Sequence, residues 1–130
     1  MNAPPPDGPT PFERIGGDTR VRALADRFYD LMESDPRYSR LRAMHGEDLA
    51  PMRHALAGFL TGWLGGPRDW FQTGRCIMSA HRGMAVTPAT AGAWLHAMGR
   101  AMADTDVPPP VANQMRHAFA RMAAAMIVAE

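Results

Sequence analysis

The chain has 130 residues, 46% of them apolar, enough for one domain with its own buried core and unlike a disordered chain. Fourteen cationic and thirteen acidic side chains leave a net charge of +1, so no strong field attracts nucleic acid or an anionic membrane. All fourteen cations are arginine, which removes Schiff-base lysine and the lysine of a phosphate-binding loop, and the lone cysteine, Cys76, removes internal disulfides and all-cysteine metal centres.

Residues 1–9 hold four prolines and one glycine and are expected to form a disordered tail, with one domain over residues 10–130. Thr10-Pro11-Phe12-Glu13 carries a capping box with proline at the first helical position, and Gly16-Gly17 stops that short helix. Asp18 is expected to cap a second helix, in which Val21, Leu24, Ala25, Phe28, Leu31 and Met32 form one inward stripe. Asp35-Pro36 ends it and opens a single turn through Tyr38. Beyond the polar loop around Gly46, Leu49, Met52, Leu56, Phe59, Leu60 and Trp63 define a third helix face, closed by Gly65-Gly66-Pro67. Residues 68–80 have no clean period. Thr87-Pro88 opens a helix with Ala91, Trp94, Leu95, Met98 and Met102 inward. Pro108-Pro109-Pro110 separates it from a last helix with Val111, Met115, Phe119, Met122 and Met126 on one side. No segment alternates with period two, so the class is all-α. No apolar run reaches the roughly 18 residues of a membrane span. The start of the chain reads as no signal peptide, and a cytoplasmic protein is expected.

The five histidines make no zinc-protease spacing, and no carboxylate pairs with them as in di-iron bundles. His81 stands apart because it follows the aperiodic stretch and precedes a helix start. Thirteen residues later Trp94 lies on an apolar helix face, and Tyr29 sits beside the stripe of the second helix. One imidazole with an inward phenol and indole could serve a planar iron cofactor, the histidine on the metal and the two donors on its ligand. Each also has an ordinary role: aromatic residues at helical spacing fill cores, and the eleven methionines suit plastic core filling. His54, His96 and His117 read as surface residues.

Phe12-Glu13-Arg14-Ile15-Gly16-Gly17, Arg27-Phe28-Tyr29, Phe59-Leu60, Trp63-Leu64-Gly65-Gly66-Pro67-Arg68, Ala80-His81 and Trp94-Leu95-His96-Ala97-Met98 together resemble the second group of truncated haemoglobins, over residues 12–128. The resemblance implies a two-over-two helical sandwich around one haem b. It implies His81 as the proximal iron ligand, with Tyr29 and Trp94 donating hydrogen bonds to the bound gas. Met52 falls where many globins carry a distal histidine, and Leu56 where an apolar residue shields the iron. Phe28, Phe59, Leu60 and Met78 match lining positions, and Met44 or His45 the aromatic position over the haem edge. Two arginines that face the haem propionates in the family are replaced by Ala55 and Ala80, leaving Arg53, Arg75 or Arg82 as substitutes. The implied ligands are dioxygen, carbon monoxide and nitric oxide, with nitric oxide dioxygenase or peroxidase-like chemistry secondary to binding. Such redox chemistry needs an external reductase, since no flavin or nicotinamide motif is present. The competing readings are a haem-free globin-like interaction or sensor domain, and a plain bundle that dimerises through a Met/Ala stripe. A monomer or homodimer is expected.

Overall fold

Thr10 caps the first helix as its sequence dictates. In the computed structural model, which describes residues 9–72 and 86–127, its hydroxyl accepts the Glu13 amide at 3.2 Å while the Glu13 carboxylate accepts the Thr10 amide at 3.0 Å. Helix α1, Pro11–Ile15, then ends at Gly16, whose φ of +114° is open to glycine and strained for other residues. Helix α2, Asp18–Ser34, follows at once. Asp18 is its first residue rather than its cap. The cap is Gly17, whose φ of +80° turns the chain so early that the backbone of Asp18 is already helical, and no side chain closes that end. Asp18 still places a carboxylate in the first turn, at the positive end of the helix dipole.

The predicted stripe of α2 is buried, and Tyr29 is buried with it. Asp35 ends the helix, and its carboxylate accepts the Arg37 amide at 3.0 Å to start a 3₁₀ turn, Pro36–Tyr38. Helix α3, Ser39–Ala43, continues from that turn and was not legible as a stripe. The chain then forms α4, Ala50–Trp63; α5, Asp69–Gln72; α6, Pro88–Asp104; and α7, Pro109–Met126. Helix α6 has the expected Thr87 cap, with the Thr87 hydroxyl accepting the Thr90 amide at 3.1 Å.

Helix α2 packs against α4 and against α6, and α7 covers α6. Leu24, Phe28, Leu60, Met98, Met102 and Met115 are almost fully buried between these layers. The end of α4 is tied to the start of the chain by the Phe12 amide, which donates to the Leu64 carbonyl at 2.9 Å. Among the described residues there is no strand, and no helix is long and apolar enough to cross a membrane. Most of the proline-rich tail, and the segment carrying Arg75, Cys76, Met78, Ala80, His81 and Arg82, lie outside the described residues.

Candidate functional site

The inward face of α2 delivers the first functional group. Tyr29 is 5% exposed, and its ring meets Phe28 edge-on at 4.9 Å. Phe28 in turn touches the Trp94 indole of α6, with ring centroids 5.1 Å apart. One buried phenylalanine thus separates the phenol and the indole that the sequence singles out. Burial pushes the Tyr29 hydroxyl up to about 12, against the opposing charge of Arg53. At neutral pH it therefore keeps its proton and acts as a donor. Among the described residues, neither this hydroxyl nor the Trp94 indole N–H finds an acceptor.

His45 closes another side. Its ring lies edge-on to Tyr29, 6.0 Å between centroids, and its Nδ1 donates to the Leu41 carbonyl at 2.9 Å. That bond fixes the tautomer and leaves Nε2 as the lone-pair nitrogen of the neutral ring. The loop carrying His45 is wound around the Arg42 guanidinium, which donates to the Gly46 carbonyl at 2.9 Å and the Glu47 carbonyl at 3.1 Å. A cavity of about 380 Å³ between α2 and α3 includes Met32, Asp35, Ser39, Arg42, His45 and Glu47 in its wall. His45 therefore stands between this opening and Tyr29. The half-buried Met44 packs against the same core.

Helix α4 supplies Leu56, Phe59 and Leu60, all buried in the core that contains Tyr29. Met52 departs from the expected stripe: at 38% exposure it is the one large apolar side chain standing in solvent among the described residues. The cause is rotational. Arg53, about 100° further round the helix, takes the position against α2. Its guanidinium donates to Asp30 at 2.8 Å, to Glu33 at 3.1 Å and to the Asp26 carbonyl at 2.9 Å, and lies 5.9 Å from the Tyr29 ring centre. Burial disfavours the Arg53 charge, but the bonds to Asp30, Asp26 and Glu33 outweigh it and raise the pKa. Arg53 is thus engaged with α2, which argues against the substitute propionate role expected for it; Ala55 carries no polar group.

Trp94 also contacts Phe119 edge-on at 5.5 Å, and Phe119 contacts Trp63 at 5.4 Å. Trp70 of α5 meets Phe59 edge-on at 5.7 Å. The approach is close enough that a Cβ on Gly58 would stand 2.8 Å from the Trp70 Cβ. Met78 and His81 lie outside the described residues. Among the described residues, no group of three histidine, cysteine or carboxylate side chains could hold a bare metal ion.

One polar cluster was missed from the sequence. The Tyr38 hydroxyl lies 2.7 Å from His96 Nδ1, and Arg100 donates to that hydroxyl at 3.2 Å and to the Asp35 carboxylate at 2.7 Å. His54 and His117 are exposed as expected, and His96 is exposed yet bonded. The signal available was faint: His96 and Arg100 are one turn apart on α6, but Tyr38 is 58 residues away in sequence.

A family model described as bacterial-like globin matches residues 10–128. The group II 2-on-2 haemoglobin of the plant pathogen Agrobacterium tumefaciens superposes with a TM-score of 0.89 at 33% identity, covering 100% of both chains. The group II truncated haemoglobin of Bacillus anthracis gives 0.84 at 31% identity, covering 94% of this chain and 93% of that one. A truncated oxygen-avid haemoglobin from Bacillus subtilis gives 0.83 at 26% identity, over 92% of this chain and 100% of that one. No curated protein sequence matches.

Proposed function

Because the chain belongs to the bacterial-like globin family, whose fold here is that of the truncated two-over-two haemoglobins and whose membership implies haem, we propose that it reversibly binds dioxygen, carbon monoxide and nitric oxide on one haem b held by His81. The observation that supports this most is the pair of aromatic donors, buried Tyr29 and half-buried Trp94, flanking Phe28 with no acceptor among the described residues. Two donors without a protein acceptor at the edge of an apolar core are available to a ligand. The donor chemistry fits a haem pocket. Haem supplies an iron that takes up a diatomic gas and exchanges electrons.

The chain's own residues do the rest. His81 would hold the iron. Tyr29, protonated at neutral pH, would donate a hydrogen bond to the gas, and Trp94 would donate another. Leu56, Phe59 and Leu60, with Met78 expected beside them, would exclude water, while Met52 is exposed. His45 stands at the opening toward the cavity, where its ring limits what reaches Tyr29. Donors of this kind favour dioxygen, which polarises outward, over carbon monoxide, and so suit a site of high oxygen affinity; the similar Bacillus subtilis haemoglobin is described as oxygen-avid. Nitric oxide dioxygenation or peroxide chemistry in the cytoplasm would follow from tight retention, with electrons from an external reductase.

Titrating the purified chain with hemin, then reducing it with and without carbon monoxide, tests this reading. The expected result is a stoichiometric Soret band that shifts with carbon monoxide. No band after hemin addition would overturn it in favour of the haem-free interaction or sensor domain, the reading that the engaged Arg53 and the apolar Ala55 favour.

A further inference from the structure

Tyr38 is 1% exposed and takes no part in the proposed gas site, yet its hydroxyl lies 2.7 Å from His96 Nδ1. Arg100 donates to the phenolic oxygen, so the hydroxyl's own proton is aimed at His96 Nδ1, which accepts it. The His96 ring is exposed and can release a proton to water from Nε2. The charged groups around it are Asp35, Arg37 and Arg100, with Arg116 across the groove between α6 and α7. Bonds to Tyr38 and Asp35 keep Arg100 firmly cationic.

A buried phenol beside a fixed cation is hard to oxidise alone, because the product would be a radical cation next to Arg100. It becomes oxidisable when its proton can leave along a preformed bond. We propose that Tyr38 and His96 form a proton-coupled electron-donor pair that drains oxidising equivalents from the interior of the protein. A one-electron oxidant takes an electron from the Tyr38 ring, the phenolic O–H bond breaks, and the proton crosses the 2.7 Å bond to His96 Nδ1. The products are a neutral tyrosyl radical and an imidazolium facing solvent. Return of one electron from a thiol or ascorbate-class reductant, with return of the proton, restores the pair. In the loaded protein a bound haem would supply the oxidising equivalent, with peroxide as the oxidant class, and that clause alone rests on the function proposed above. His96 lies two residues from Trp94 on α6, so the pair shares a helix with the gas site.

The chain has two tyrosines, which makes the test clean. Photogenerated ruthenium(III) tris-bipyridine, an oxidant that needs no haem, is applied to the purified chain, and tyrosyl radical is read by paramagnetic resonance. The expected result is a tyrosyl signal that disappears in Tyr38→Phe. In His96→Gln, an exposed position where the amide oxygen still accepts the hydrogen bond, tyrosine oxidation should slow by about a hundredfold, the low end of a positioned general base. Oxidation should also slow in heavy water. A signal that persists in Tyr38→Phe places the radical on Tyr29 and overturns the proposal. So does an unchanged rate in His96→Gln, which requires only that this surface variant fold. Because the oxidant is external, these outcomes are independent of the hemin titration.

Discussion

Tyr29 carries two consequences from one cause, its burial. As the donor of the proposed gas site, its hydrogen bond to a polarised ligand is of the charge-assisted kind, about 1.5–3 kcal/mol, or roughly ten- to a hundredfold in affinity. Tyr29→Phe should therefore speed oxygen release by about that factor while changing carbon monoxide release much less, as stopped-flow displacement would show. Equal changes for both gases would make Tyr29 a packing residue. His81→Ala should abolish the five-coordinate ferrous spectrum, and survival of that spectrum would refute the axial assignment. Tyr29 was legible in the sequence because it follows a stripe residue, Phe28, and Trp94 because its helix face is otherwise aliphatic. Tyr38 was not, since the groups that define its chemistry lie on α6.

At the scale of elements, Arg53 straps α4 to α2. Three carboxylates on successive turns of α2 converge on a guanidinium whose side chain is 19% exposed, a network rather than an isolated surface pair. Arg53→Met should cost about 1–2 kcal/mol, since each partner is half-exposed and its contribution screened. Urea titrations at low and high salt would check this, the deficit shrinking as salt rises. Close approach governs the other side of α4. Gly58→Ala should displace Trp70 and cost about 1–3 kcal/mol by overpacking; a neutral or stabilising effect would mean that α5 yields freely. The four long helices were legible from caps and periodic apolar residues, whereas α3 and α5 were not, because five and four residues are too short to show a period. Met52 was misplaced for a related reason. In the first turn of α4 the apolar pattern gives way to an ion pair, and Arg53, not a hydrophobe, makes the contact with α2.

For the molecule as a whole, stability should fall at both ends of the pH scale. The Arg37 amide and the Arg100 guanidinium hold the Asp35 carboxyl below the usual range, so its contribution is present above the ordinary carboxylate pKa and is lost as pH falls through the depressed value. On the alkaline side Tyr29 moves the other way, from 10.0 to about 12. Its contribution is complete below the unfolded value and is lost as pH rises through the folded one, a loss of about 2–3 kcal/mol. Denaturant titrations across that window should show this loss in the natural chain and little of it in Tyr29→Phe. The all-α architecture could be read from the sequence because each helix is defined by its own residues. The Asp35, Tyr38, His96 and Arg100 cluster could not, because it joins segments that only the finished fold brings together.

The sandwich of Phe119 between Trp63 and Trp94 gives the protein a built-in gauge. Indole emission is quenched by a nearby porphyrin through energy transfer, so the two tryptophans at this junction should darken as the pocket fills. A simple fluorescence trace would then report occupancy without any label. Trp94→Phe and Trp63→Phe would divide the signal between the indole at the site and the one behind it.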